Sequence, residues 1–153
     1  MTPEDSTLQE KLKQFELTCK SKNIKITHQR REIFLLMASS KNHPSVEEIY
    51  KSIKIALPMI SLDTVYRTLT TFEKAGIISR VHALDDRVRF DANLKIHHHL
   101  ICTNCRGIVD FYWPAFDSIK LPPETNEWGA IQVKQVEIRG ICTKCSKRRG
   151  SKY

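Results

Sequence analysis

No stretch of the 153-residue sequence comes near the roughly 18 consecutive apolar residues of a membrane span. The longest apolar runs, such as residues 33–38, have the length of one helix face. No internal repeat of the solenoid or propeller kind is visible. The opening residues, Met1-Thr2-Pro3-Glu4-Asp5, lack the basic head and apolar run of a secretory signal. These absences predict a cytoplasmic protein with no membrane partner. In that compartment disulfides are rare, and paired cysteines more often bind metal. Acid is scarce too: 17 Asp and Glu stand against 25 Lys and Arg, a formal charge of +8. The excess is spread evenly, net +4 in residues 1–90 and net +4 in residues 91–153, so its sign is a weak pointer to an anionic partner. The basic stretch 144–152 reads as a solvated tail. The length fits one medium domain or two small ones, and a small one has too thin a core to stand without a staple.

The first ninety residues read as short helices. Ser6 to Gln9 has the form of a capping box, followed by Leu8, Leu12, Phe15 and Cys19 at helical spacing, which makes Cys19 a core thiol. Thr27 caps a second helix with Ile33, Phe34 and Met37 on its apolar face. Ser45-Val46-Glu47-Glu48 is a second capping box, and Pro58 closes the helix it opens. Ser61 opens a fourth helix, over 61–75, with Leu62, Val65, Leu69 and Phe72 as its buried stripe and Gly76 as a left-handed stop. The other face carries Thr64, Tyr66, Arg67, Thr68, Thr70 and Thr71, nearly free of acid and rich in hydroxyls, a surface able to reach phosphates and base edges. Residues 77–84 and 87–91, flanking Asp85-Asp86, read as a hairpin. Helices followed by a hairpin make a winged helix-turn-helix, with residues 61–75 entering the major groove of double-stranded DNA and Arg80, Arg87 and Arg89 near phosphates on the wing. Lys25, Arg30 and Ser61 complete the candidate DNA contacts.

Cys102-Thr103-Asn104-Cys105 and Cys142-Thr143-Lys144-Cys145 are two CxxC knuckles with 36 residues between them. Four thiolates suit a tetrahedral, structural Zn2+. A small sheet must lie between the knuckles, locked by the ion. Just ahead of the first knuckle runs His97-His98-His99. In a strand, His97 and His99 face one side and His98 the other. Asp91 precedes this run, and Asp110 interrupts an apolar strand after the knuckle, where a carboxylate must be paired or liganded. Imidazoles with carboxylates suit Fe2+, Mn2+, Zn2+ or Ni2+. Taken alone, these His and Asp residues fit a surface as well as a site.

Several ordered segments together resemble the ferric uptake regulator family over nearly the whole chain: 25–30 (with His28 where a Pro is usual), 43–50, 61–69, 89–91, the histidine run and both knuckles. The resemblance implies an α+β protein: a winged helix-turn-helix domain over 1–90, a hinge over 91–96 and a small α/β dimerisation domain with a structural four-cysteine zinc site over 97–153. It also implies a homodimeric repressor of operator DNA and not an enzyme. His43, Asp91, His97, His99 and Asp110 match the family's regulatory ligands, holding Fe2+ or Mn2+. Iron-sensing members usually have Glu at the positions of 91 and 110, and the peroxide-sensing branch has Asp; both are Asp here. That favours sensing of peroxide by metal-catalysed oxidation. The alternative is a repressor of metal uptake genes that responds to iron, zinc or manganese level. A further metal site known in iron sensors would need His at the positions of Ile96 and Lys134, so His98 is not expected to serve it. Two other classes compete: a zinc-binding adaptor without DNA affinity, and a metallohydrolase, which would need a placed acid or base that is not found near the ligands.

Between the knuckles, a helix is expected over 114–120, stopped by Pro122-Pro123, then an extended piece to Trp128. Trp128, Ile131, Val133, Val136 and Ile138 predict strands that serve both core and interface.

Overall fold

The computed structural model describes residues 7–82 and 84–150. They fall into two compact units that divide between Leu94 and Lys95. No helix among the described residues is long and apolar enough to cross a membrane.

The first unit holds α1 (Leu8–Ser21), α2 (His28–Ser39), α3 (Val46–Ala56), α4 (Leu62–Lys74) and a hairpin of β1 (Ser79–His82) and β2 (Val88–Asp91). Each helix begins where a side chain takes over an orphan backbone donor. Thr27 accepts from the Arg30 N–H, Ser61 from Thr64, and Ser45 and Glu48 form a reciprocal box. The first box is made by Thr7 and Glu10, one residue later than the spacing of Ser6 and Gln9 suggests; Ser6 lies outside the described residues. After α4 the chain reverses at Gly76, whose φ of 70° is the left-handed conformation glycine adopts at no steric cost.

Phe15, Phe34 and Phe72, from α1, α2 and α4, meet at the centre of this unit. Phe15 stacks on Phe34 at 4.2 Å, and Phe72 meets Phe15 edge-on at 5.4 Å. Ile33, Ile49, Val65 and Leu69 complete a continuous core, and Cys19 lies inside it, its thiol pKa raised by burial. Leu62, expected in the buried stripe, is exposed; it sits on the first turn of α4, at the end of the stripe that Val65, Leu69 and Phe72 continue inward. Phe72→Ala removes the ring that both other phenylalanines touch, and about 3–5 kcal/mol of stability should go with it. Urea unfolding of the two proteins measures the loss.

The second unit is a three-stranded sheet with short helices. β3 (His98–Cys102) lies between β4 (Ile108–Phe111), antiparallel to it, and β5 (Glu137–Gly140), parallel to it. α5 (Pro114–Asp117), a single 3-10 turn (Pro123–Asn126) and α6 (Thr143–Gly150) complete the unit. The helix expected over 114–120 ends at Asp117. There Ser118 turns its hydroxyl back on the Pro114 carbonyl, and Lys134 draws the carbonyls of Phe116, Asp117 and Ile119 onto its ammonium. The extended piece expected before Trp128 is interrupted by the 3-10 turn. Strand structure in the following segment is confined to β5, and Trp128 and Val133 are 78% and 75% exposed, so they are not core of this chain.

Candidate metal centres

The two knuckles meet because β3 and β5 run parallel. β3 ends at Cys102 in register with Gly140, at the end of β5, and each strand then turns into a CxxC pair. The four sulfurs lie within 4.8 Å of one another. The first knuckle turns at Arg106, whose φ is 63°, and its N–H reaches back to the Cys102 carbonyl at 3.0 Å. Gly107 suits the tight quarters there, because a Cβ would come within 3.3 Å of the Cys105 sulfur. The N–H groups of Cys142 and Cys105 point at the Cys102 sulfur at 3.3 and 3.5 Å, and they hold its pKa down to about 6. At Cys105 the Gly107 N–H pulls the pKa down, but the neighbouring thiols Cys102, Cys145 and Cys142 and burial together push it to about 11. The thiols are not joined in disulfides, and the Cys105 and Cys142 sulfurs are 3.9 Å apart. Zinc–sulfur bonds of about 2.3 Å put tetrahedral ligand sulfurs about 3.8 Å apart, so the donor set fits a closed Zn2+ site.

The second unit also carries a half-set of nitrogen and oxygen donors. His97 and His99 face one side of the sheet, their Nε2 atoms 3.1 Å apart. That separation matches the edge of an octahedron with metal–imidazole bonds of about 2.1 Å. His97 Nδ1 lies 2.6 Å from the Lys95 carbonyl, which fixes the ring with Nε2 toward His99, as second-shell partners of metal-binding imidazoles do. Asp110 is the cross-strand neighbour of His99, with carboxylate oxygens 3.4 Å from His99 Nε2 and 3.7 Å from His97 Nε2. His98 points the other way and is wholly buried. The Val136 N–H donates to its Nδ1 at 3.0 Å, so its Nε2 carries the proton shared with Asp117 at 2.9 Å. Among the described residues no third cluster of metal-binding side chains joins the thiols and these donors.

The first unit carries a smaller half-set. His43 precedes α3 and Asp91 ends β2, both buried, with His43 Nε2 and Asp91 Oδ2 3.1 Å apart. The Asn93 N–H donates to the other Asp91 oxygen at 2.7 Å and orients the carboxylate.

The candidate DNA face is partly remade by the structure. Ser61, Tyr66, Arg67, Lys25 and Arg80 are exposed, and Thr64 and Arg30 are half-buried. Thr68 is buried and leaves the DNA-facing set; it lies on the same side of α4 as Val65 and Phe72. The Thr70 and Thr71 hydroxyls donate to the Tyr66 and Arg67 carbonyls one turn back, so the face offers fewer hydroxyls than the sequence suggests. Arg67 pairs with Asp63 at 2.8 Å, Arg80 with Glu73 at 2.6 Å, and Arg30 reaches the Lys25 carbonyl. Arg89, expected at the DNA phosphates, is instead drawn inward between Asp85 and the His43 carbonyl.

A winged-helix unit and a small sheet unit with four clustered cysteines are the parts of a metal-binding class of protein, and comparison with known proteins says which one. Residues 21–139 match the model of the ferric uptake regulator family. The peroxide operon regulator of Bacillus subtilis is 34% identical over 137 residues, 90% of this chain and 94% of that protein. The solved Helicobacter pylori ferric uptake regulator, described as having three functional metal binding sites, aligns at TM-score 0.71 and 26% identity over 95% of this chain and 97% of that one. PerR from Streptococcus pyogenes, solved as a basis for peroxide sensing and gene regulation, aligns at TM-score 0.52 and 28% identity over 88% of this chain and 92% of that one. The chain belongs to the ferric uptake regulator family of metal-responsive transcriptional repressors.

Proposed function

We propose that the chain is a homodimeric repressor that binds double-stranded operator DNA through α4 and the β1–β2 hairpin when Fe2+ or Mn2+ occupies a regulatory site. We propose further that it releases the DNA when peroxide destroys a ligand histidine. The observation that carries this reading is the presence of an imidazole–carboxylate half-set on each unit: His43 and Asp91 on one, His97, His99 and Asp110 on the other. Three imidazoles and two carboxylates suit Fe2+ or Mn2+ and leave one octahedral position for a small reactant. Bound Fe2+ would supply the electrons that cleave peroxide beside these rings. His43 and Asp91, held to the same ion as His97, His99 and Asp110, would set the angle of α4 through a hinge over 91–96. In a dimer that angle decides whether two helices match half-sites about one turn of DNA apart. Cys102, Cys105, Cys142 and Cys145 would hold Zn2+ permanently.

The dimer is supported by a row of apolar side chains in register across the sheet. Leu100, Val109 and Ile138 are 41%, 60% and 43% exposed and run from β4 across β3 to β5, an edge strand among the described residues. Such an apolar row suits contact with a second copy of the chain. The similarity to peroxide regulators, with Asp at both 91 and 110, supports the peroxide signal.

The test is electrophoretic retardation of the protein's own promoter DNA. Wild type should be retarded when Mn2+ is added, and Tyr66→Ala and Arg67→Ala should each weaken binding about tenfold or more, the cost of one base-edge or phosphate contact. Equal binding by both variants would overturn the assigned DNA face. Absence of binding by wild type under every metal would leave a zinc-binding adaptor.

A further inference from the structure

Among charged side chains that the proposed function does not use, Arg89 ties together the most separate parts of the first unit. It lies on β2 two residues before the ligand Asp91, with its side chain 15% exposed. Its Nη1 donates to the carbonyl of His43 at 3.2 Å. Its Nη2 donates to Asp85 at 3.0 Å, in the turn at the tip of the hairpin. Glu48 stands 3.7 Å away, and the same carboxylate oxygen accepts the Ser45 N–H that opens α3. The backbone repeats the connection: the Phe90 N–H donates to the Pro44 carbonyl at 3.1 Å, and Ser45 and Arg89 form an isolated β-bridge. Residues 43–45 are therefore zipped onto the wing strand, with one guanidinium bolting the ligand segment, the wing tip and the α3 cap together.

We propose that Arg89 is the positioning residue that couples the regulatory ligand His43 to the wing, so that occupancy of the metal site is transmitted to the DNA-facing hairpin. The proposal rests on the reading of His43 as a metal ligand and of the hairpin as part of the DNA face. A planar fork with several donors at fixed angles can hold a carbonyl and a carboxylate at once. A lysine ammonium, a point charge on a flexible stem, cannot reproduce that geometry. The buried Nε of Arg89 has no hydrogen-bond partner, so both terminal nitrogens are satisfied at the expense of the third. The neighbouring Arg89 guanidinium also holds the Asp85 carboxyl below its ordinary range, so the wing end of the tie stays charged at neutral pH. When the His43 carbonyl moves, the guanidinium moves with it, and so does the turn that carries Asp86 and Arg87.

The experiment compares the full-length wild type with Arg89→Lys and Asp85→Asn. For each, operator affinity is measured with and without added Mn2+, and thermal unfolding is recorded. The ratio of the two affinities is the coupling between metal and DNA. Wild type should show a ratio of at least about tenfold, and in both variants it should fall toward one, with affinity in the absence of Mn2+ kept within about twofold. Affinities that drop together at an unchanged ratio would mean a structural role only and overturn the proposal. If Arg89→Lys does not fold, Asp85→Asn decides alone, since it removes the charge that draws the guanidinium to the wing and leaves the His43 end intact. A wild type whose DNA binding ignores Mn2+ would refute the metal-responsive reading itself, and the proposal with it; that outcome is read before any variant is compared.

Discussion

Hydrogen peroxide added to the Fe2+-loaded protein is expected to add one oxygen atom to His43 or His97 and to abolish operator binding. An oxidant generated at a metal site attacks what lies in contact with it, and both imidazoles are buried with Nε2 directed into a donor set. Oxygen added at the ring carbon beside Nε2 takes away that nitrogen's ability to donate a lone pair. The half-set on the first unit would then retain Asp91 alone, or the half-set on the second would lose one of its two imidazoles. Affinity should fall at least about a hundredfold, toward the level of non-specific binding. Intact-protein mass and peptide mapping locate the oxygen, and retardation of promoter DNA reads the function. Mn2+ in place of Fe2+ should protect, because it does not readily give up an electron to peroxide. An unchanged mass with intact binding would select a repressor that follows metal level without sensing peroxide.

Replacement of a knuckle cysteine, Cys105→Ser or Cys142→Ser, is expected to unfold the sheet unit and spare the helical one. Buried apolar residues of the sheet unit among those described are few: Ile101 and Ile108, with Cys102 and Cys145 beside them. So thin a core does not offset the entropy of ordering its chain. A structural Zn2+ in small peptides contributes roughly 10–16 kcal/mol at neutral pH, comparable with the whole stability of a domain. The first unit has its own aromatic and aliphatic core and no need of the ion. Circular dichroism should therefore retain most of the helical signal. Sedimentation should show a monomer, since the Leu100, Val109 and Ile138 row belongs to the part that is lost. A dimer of unchanged stability after either substitution would refute zinc as the staple.

The helices of the first unit are legible in the sequence because their signals are local. A cap at Thr27, Ser45 or Ser61 acts on an N–H three residues away and can be read without knowing the fold. The knuckles are legible for the same reason. Thr68 is not, because hydrophobic periodicity reads a threonine as polar, although its methyl can fill a gap in a core as well as its hydroxyl can face solvent. The pairing of His43 with Asp91 spans 48 residues and leaves no trace in any local pattern; only the family resemblance suggests it. Arg89 reads as a phosphate contact because strand alternation tells which side of a hairpin a residue occupies, not whether a carboxylate in the turn will bend it back. The segment from Trp128 to Val136 misleads for a different reason. Apolar spacing predicts burial without saying against what, and here Trp128, Ile131 and Val133 are exposed in the chain by itself.

The parallel pairing of β3 and β5 also fixes an order of events during synthesis. The first knuckle closes within a hairpin, between neighbouring antiparallel strands, so its loop is short and forms early. The second arrives only after the 3-10 turn and β5 have emerged, and it must cross the sheet to lie alongside β3. Parallel pairing of distant segments is the slow class of contact. For that interval Cys102 and Cys105 are two thiols of a site still missing its other pair. Two thiols without their partners are an incomplete soft-metal site, which Cys142 and Cys145 complete.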